Sequence, residues 1–554
     1  MRTLFLLLAL FGQNAAVSAV FTDYLQAAAC LAGCQCVENL PEDESERAYD
    51  LYLHPIRLNS ASPARLLSTG YFTPFQAASI LDYRSRNGDI LSVAELSAVP
   101  GIGERMASAL SFFLSFESDL LPTRRQSGRR VDIDGSMCNT VKNATVQSRL
   151  KLSAESTRGW SAGLCSTDAL QSIYSRYQGG GLLSEVVVGS LNARFGQGLT
   201  FSSGFSMGGV QSLSSLSRNP TGVCPSATSN SAYALNGVAV ALRLGSLTLQ
   251  SLTTFDLATQ ALNLSLLTSR STAGLTFARS GKTLSIGADA KSTVGSFTLW
   301  GEASACLNAN ALGSAALAGV YYNLAYRRRI ALMLRSYSTG YANPYASAVR
   351  GGSKCSDQTG LDFGVEYDDF SALLDVYRKP GTGDTQARLI STYSHSWSGA
   401  ALECRLNSRF IGSARRELRL TGTLTRGLLD ISARAQVLKG ESWAGLAYVQ
   451  TALKGRNPSG KAAATLRITY FNAANWNDRL YGYSPDVPGF FSVKAYYGHG
   501  MELAIYLKAK GLAFRIGRTA YFDGKAPKLE MRLQVSLRTS GSFPRPGQAK
   551  KWSK

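Results

Sequence analysis

The sequence predicts a mainly β fold, a large antiparallel transmembrane β-barrel of about 18–22 strands, preceded by a small all-α unit. Three observations carry this prediction. Apolar and polar residues alternate with a period of two over ten-residue stretches in the C-terminal three quarters of the 554-residue chain. Aromatic pairs stand near the ends of those stretches, and no apolar run after the N-terminus reaches the ~18 residues that a spanning helix needs.

Residues 1–19 have the pattern of a signal peptide: Arg2 supplies a positive start, Thr3 to Phe11 an apolar core, and Val17-Ser18-Ala19 a small-residue cleavage site. The alternative, lipid attachment at Cys34 of Leu31-Ala32-Gly33-Cys34, is disfavoured because Asp23 and Tyr24 interrupt the apolar stretch leading to it. Residues 20–50 form an acidic leader, mobile or helical, ending in Pro41-Glu42-Asp43-Glu44-Ser45-Glu46. Helix signals then become dense across 51–120. Ser62-Pro63 has the order of an N-cap and first helical position, and Thr73-Pro74-Phe75-Gln76 and Ser92-Val93-Ala94-Glu95 are capping boxes. The helix from Pro74 spaces Ala77, Ile80, Leu81 and Arg84 along one face and stops at Asn87-Gly88. In Val99-Pro100-Gly101-Ile102-Gly103-Glu104-Arg105, Pro100 and Gly101 break one helix, Ile102 packs inward, and Gly103 turns the chain into the next. The amides freed at that helix start are a natural seat for a phosphate.

Ile56 to Ser62, Ile80 to Arg84, Asn87-Gly88, Val93 to Leu96 and Val99 to Arg105 together resemble the double hairpin of competence-type (ComEA-like) helix-hairpin-helix domains. The resemblance implies contact with DNA backbone through the glycine-containing hairpins, and so assigns phosphate contact to Gly101, Ile102, Gly103 and Arg105. The first hairpin departs from the family pattern, having Thr69-Gly70-Tyr71-Phe72-Thr73 with one glycine and two aromatics.

Pro122, Arg124-Arg125, Gly128 and Arg129-Arg130 mark 121–135 as a linker. The barrel is expected over 136–540, with a basic tail over 541–554. Leu529, Met531, Leu533, Val535 and Leu537 alternate with Glu530, Arg532, Gln534, Ser536 and Arg538, and Met501, Leu503, Ile505 and Leu507 do the same. Val238 to Leu244, Gly245-Ser246 and Leu247 to Leu249 form a tight hairpin. A soluble sandwich also alternates, but its strands are about five or six residues, whereas bilayer-crossing strands need about nine to eleven. Tyr321-Tyr322, Tyr470-Phe471, Phe490-Phe491 and Tyr496-Tyr497 are the expected interfacial girdles. Arg243, Arg419, Arg434, Arg515, Arg532 and Arg538 fall on the polar face, which lines the lumen. Two further stretches, Arg194 to Leu199 and Asp486 to Phe491, together with the helical unit, resemble uncharacterised outer-membrane barrels that carry an N-terminal hairpin module.

The net charge of +21 is divided unevenly: residues 1–120 carry 7 Arg or Lys against 13 Asp or Glu, which leaves +27 for the rest. The hairpin is therefore on the acidic side of the molecule, which weighs against nonspecific DNA binding through charge alone. Nine cysteines at scattered positions define no disulfide framework, and the Cys30, Cys34 and Cys36 cluster lacks a second ligand group, so neither metal nor cofactor is expected. Gly204-Phe205-Ser206-Met207-Gly208 matches a serine nucleophile elbow without its strand-turn-helix context, and Gly281-Lys282-Thr283 has the composition of a turn rather than a phosphate loop. Arg327-Arg328-Arg329 and Arg415-Arg416 are expected as solvated strand ends.

The function expected is non-enzymatic. A barrel in the outer membrane presents a periplasmic hairpin module that binds DNA phosphates or a partner near the pore, in uptake or transport. The alternative is a structural scaffold whose hairpins dock a periplasmic protein, with the barrel packed or plugged inside. A serine hydrolase using Ser206 is the remote third. Expected partners are outer-membrane lipid, then DNA or another polyanion, or a periplasmic protein.

Overall fold

Long two-faced strands leave unpaired edges unless the sheet closes, and here it does. In the computed structural model 24 strands form one closed antiparallel wall. The strand Arg129–Lys142 seals against the last, Lys528–Phe543, with Arg129 opposite Phe543 and Glu530 opposite Lys142. The described residues are 21–543, except 22, 35, 118–128, 144, 157–158, 169–170, 205–208, 229–233, 309–310, 326, 398, 413, 455–461 and 491–492. The expected signal peptide, Ser206, Phe491 and most of the basic tail lie outside them. The first strand begins inside the stretch expected as linker, because Val131, Ile133 and Gly135 already alternate with polar residues. The wall exceeds the 18–22 strands expected because its turns are short. At the end where the chain enters and leaves the barrel the turns include 245–246, 295–296, 427–428 and 510–511. The opposite end carries the long connections 195–234, 338–357 and 474–497. Gly281-Lys282 is a short turn at this opposite end, joining Ser271–Ser280 to Thr283–Val294.

The outer surface is the one a bilayer demands. Leu264, Leu275, Ile286, Leu332, Val449 and Leu503 stand exposed at mid-strand. Trp160, Phe297, Tyr322, Tyr367, Phe370 and Trp397 ring the short-turn end, and Phe255, Phe410, Trp443, Tyr470 and Phe522 the long-loop end. In two of the four expected aromatic pairs one member contributes: Tyr322 and Tyr470 face outward while Tyr321 and Phe471 are buried inside. Adjacent strand residues point to opposite faces, so a doublet cannot serve one belt. Phe490 and Tyr496 sit inside the lumen.

The N-terminal part folds as one helical body: α1 (Tyr24–Leu31), α2 (Glu42–Leu53), α3 (Pro63–Leu67), α4 (Pro74–Asn87), α5 (Val93–Ala98) and α6 (Gly103–Leu110). The capping box at α4 is formed, with the Gln76 amide donating to Thr73 Oγ1 and the Thr73 amide to Gln76 Oε1 at 2.8 Å. The acidic leader is helical and shares the hairpins' core: Leu25, Ala28, Leu40 and Leu51 pack in one cluster with Leu66, Phe72, Ile80, Leu96, Leu110 and Phe113. A short parallel pairing of Ile56–Arg57 with Leu114–Ser115 ties its two ends together.

Asn59 locks that closure. Its Nδ2 donates to the carbonyls of Ile90 at 3.0 Å and Glu117 at 3.1 Å, and its Oδ1 accepts from the Ile90 amide at 2.9 Å. Asn59→Leu leaves these buried groups unpaired and is expected to destabilise the helical body by about 2–5 kcal/mol. Faster hydrogen exchange at the Ile90 amide in the full chain would register the loss.

Candidate functional site

The helical body does not stand apart from the barrel. It is seated in the lumen, and the acidic leader supplies the contacts. Glu38, on the 3₁₀ turn Val37–Asn39, pairs with Arg434 and, at 3.5 Å, with Arg419, and accepts from the Tyr483 amide at 3.1 Å. Glu44 lies between Arg47 of its own helix and Arg194 of the wall. Glu46 approaches Arg149 at 3.8 Å, and Asp50 meets Lys151 Nζ at 2.7 Å. Nearer the short-turn end His54 pairs with Asp134 at 3.0 Å, and Arg65 reaches Glu155 at 3.3 Å. The charge asymmetry of the sequence is thus internal complementarity, an acidic body in a basic bore.

Burial alone would raise the Glu38 carboxyl. Arg434 and Arg419 overcome it and hold the group well below the usual carboxylate range. Glu44 is likewise depressed: Arg47 and Arg194 outweigh its burial. His54 goes the other way, since the hydrogen bond and charge of Asp134 outweigh burial and raise it. The stabilisation from the two carboxylates is present above their unfolded value of about 4.3 and fades as pH falls through the depressed folded values. That from His54 is full below about 6.5 and fades as pH rises through its raised value. The docked body is therefore expected to be most stable near about pH 5.5. The melting midpoint of its helical circular dichroism, followed across pH in the full chain, should peak there and drop on both sides.

The two stretches that marked the barrel in the sequence are lumen loops that receive this body. Glu302 of the wall accepts from the amides of Gln197 (2.7 Å), Leu199 (3.0 Å) and Thr200 (2.7 Å), folding 195–200 inward. That fold presents Arg194 to Glu44. At the other stretch Asp486 pairs with Arg532, and Arg149 Nη1 donates to the Gly489 carbonyl at 2.7 Å. Gly489 lies in the left-handed region with φ +76°, and a Cβ there would stand 2.8 Å from the Tyr49 ring of α2.

The second hairpin keeps the predicted turn. Gly101 and Gly103 have φ of +86° and +69°, and the Ile102 amide donates to the Val99 carbonyl at 3.1 Å. Gln76 Nε2 caps the Gly101 carbonyl at 2.7 Å. Pro100, Gly101 and Arg105 are exposed, while Ile102 is buried. Gly101, Ile102 and Arg105 line a cavity of 760 Å³ together with Arg270, Lys291 and Arg327 to Arg329. Arg328 and Arg329 are paired across strands with Asp368 (2.9 Å) and Glu366 (2.6 Å). The first hairpin is turned to the barrel instead: a Cβ at Gly70 would meet Thr221 Cγ2 at 2.8 Å, and Tyr71 and Phe72 fill the core. This accounts for its departure from the family pattern.

Of the arginines expected in the lumen, Arg419, Arg434, Arg515 and Arg532 are there, Arg243 is half-buried, and Arg538 is exposed beyond it. Cys34 lies inside the helical body, its Sγ 3.4 Å from the Asn39 carbonyl, and all nine cysteines are free thiols. Sequence reasoning missed Glu38, Glu44, Arg149, Lys151, Asn59 and Glu302. For the first four the charge split was the available signal; Asn59 and Glu302 had none.

Residues 53–115 match the helix-hairpin-helix motif family. No curated protein sequence matches the chain. Among solved structures the barrel is similar to the P pilus usher (PapC) translocation pore, 8% identical with a TM-score of 0.40 over 74% of this chain and 99% of that one. It is also similar to OccK5 (OpdH) of Pseudomonas aeruginosa, 8% identical with a TM-score of 0.29 over 75% and 99% of the two chains. OccAB4 of Acinetobacter baumannii is 10% identical with a TM-score of 0.28 over 76% and 100%.

Proposed function

We propose that the chain is a non-enzymatic outer-membrane channel for anionic cargo, closed at rest by its own helix-hairpin-helix unit. The observation that carries this reading is the seating of the acidic leader on lumen cations, Glu38 on Arg419 and Arg434, Glu44 on Arg194, Asp50 on Lys151. Ion pairs that are broken by screening or by a competing anion suit a plug that must leave. The two aromatic belts support a bilayer address. The short turns and both barrel termini at one end support the usual orientation, with that end and the 760 Å³ cavity toward the periplasm.

In this reading Gly101, Ile102, Gly103 and Arg105 offer a phosphate seat, and Gly101, Ile102 and Arg105 of it line the cavity. A cavity of 760 Å³ suits one small ligand, so duplex DNA meets the hairpin only after the plug has left the lumen. The test is conductance of the purified full chain in planar bilayers. Rare openings that become frequent when the leader carboxylates are neutralised support a gated channel. Silence in every variant leaves a scaffold whose plugged barrel docks a periplasmic protein. Duplex binding across a salt series, measured on the same variants, decides the nucleic-acid part: affinity that appears only in the unlatched chain is the expected result.

A further inference from the structure

The contact of Glu38 with the wall is one point in a larger array. Arg388, Arg405, Arg419, Arg434 and Arg467 lie on the strands Thr385–Trp397, Ala400–Ile411, Arg415–Arg426, Leu429–Lys439 and Ala462–Ala473. Only Trp443–Lys454 intervenes, between the last two. It contributes Tyr448, whose ring lies 3.7 Å from the Arg467 guanidinium carbon and 5.3 Å from that of Arg434. Arg405 and Arg419 are directly opposite each other in register. Like charges so placed repel and need an anion between them. Yet the array is short of anions. Glu38 bonds Arg419 and Arg434, and Glu417 bonds Arg419 at 3.3 Å.

The remaining three form no close carboxylate ion pair among the described residues, and Asp375, which stands opposite Arg388 in register, is taken up by Arg335. Arg388 uses Asn407 Oδ1 (2.8 Å) and the Val210 carbonyl (3.3 Å). Arg405, 6% exposed, points Nη1 at the Cys36 thiol 3.1 Å away, and its buried Nε has no partner. Arg467, 3% exposed, donates to the Tyr483 carbonyl, and its Nη2 is unpartnered. Buried guanidiniums left without counter-charge are costly to keep, and planar forks of this kind match phosphate oxygens bidentately.

We infer that this arginine belt is a binding site for a linear phosphate polyanion and that Glu38 fills its centre as a built-in competitor. The inference rests on the channel reading for its purpose, but the site itself is defined by these five side chains. Entry of cargo phosphate between Arg405, Arg419 and Arg434 displaces the Glu38 carboxylate, which frees one anchor of the plug and couples binding to opening.

The test is calorimetric titration of the detergent-solubilised full chain with inorganic polyphosphate. Glu38→Gln, which keeps the side chain's shape and removes its charge, is expected to tighten binding by about tenfold, or ~1.4 kcal/mol. Arg405→Gln combined with Arg467→Gln, which removes none of the three groups that bond Glu38, is expected to weaken it by a similar factor or more. Unchanged affinity in both variants, or no binding at low salt, overturns the proposal. The double arginine variant keeps it decidable if Glu38→Gln disturbs the seating of the plug. Binding that follows this pattern in a chain that passes no current would keep the belt as a site and discard the channel; current without such binding would do the reverse.

Discussion

In the channel proposed above, replacing Glu44 with arginine is expected to unseat the helical unit and turn rare openings into sustained ones. The Glu44 carboxylate is buried between Arg47 and Arg194, and an arginine there would force three guanidiniums into one enclosed space. Removing one member of a buried pair already costs about 3–5 kcal/mol, and reversal adds repulsion on top. The milder Glu44→Gln should fall between the two. Planar-bilayer conductance reads the opening, and trypsin cleavage after Arg57 and Arg65 reads the release of the plug independently. Wild-type conductance together with wild-type protease resistance would mean that the ion pairs do not hold the plug.

The second large effect is expected at Glu302. Its carboxylate gathers three backbone amides and the Thr200 hydroxyl at 2.7 Å, all within the inward loop 195–200. Hydrogen bonds to a charged group contribute roughly 1.5–3 kcal/mol each and add less than fully when they share one carboxylate, so Glu302→Ala is expected to cost the loop about 4–6 kcal/mol. The loop would leave its seat and carry Arg194 away from Glu44. Protease cutting within 195–218 should rise while the wall, whose ladder bonds do not involve this side chain, stays intact. Glu302→Gln, which keeps the shape but has only one acceptor oxygen, is expected to recover part of the loss. A loop as resistant as wild type in Glu302→Ala would show that Tyr341 and Asn343, which also hold Leu199, suffice.

Much of the architecture was legible because it is encoded by neighbours in the chain. The alternation around Met501 to Leu507 and Leu529 to Leu537 gives strands with one apolar face, and those residues face outward as expected. Thr73 and Gln76 cap a helix from three residues apart, and Gly101 and Gly103 adopt the left-handed backbone that only their spacing required. Aromatic doublets do not show which face each ring takes: in Tyr321-Tyr322 and Tyr470-Phe471 only the second and first members, respectively, reach the belt.

By itself, then, the sequence determined a closed sheet with a greasy exterior, a basic interior and a compact helical hairpin unit, since period, capping and turn chemistry act over a few residues. Only the tertiary structure decided that this unit sits inside the sheet. Glu38 meets Arg434 across 396 residues of chain and Glu44 meets Arg194 across 150, and such pairings depend on which inward side chains the closed wall brings to one level. A charge excess in each part announces that partners are needed. The curvature of the wall and the inward folding of its long loops select which partners they are.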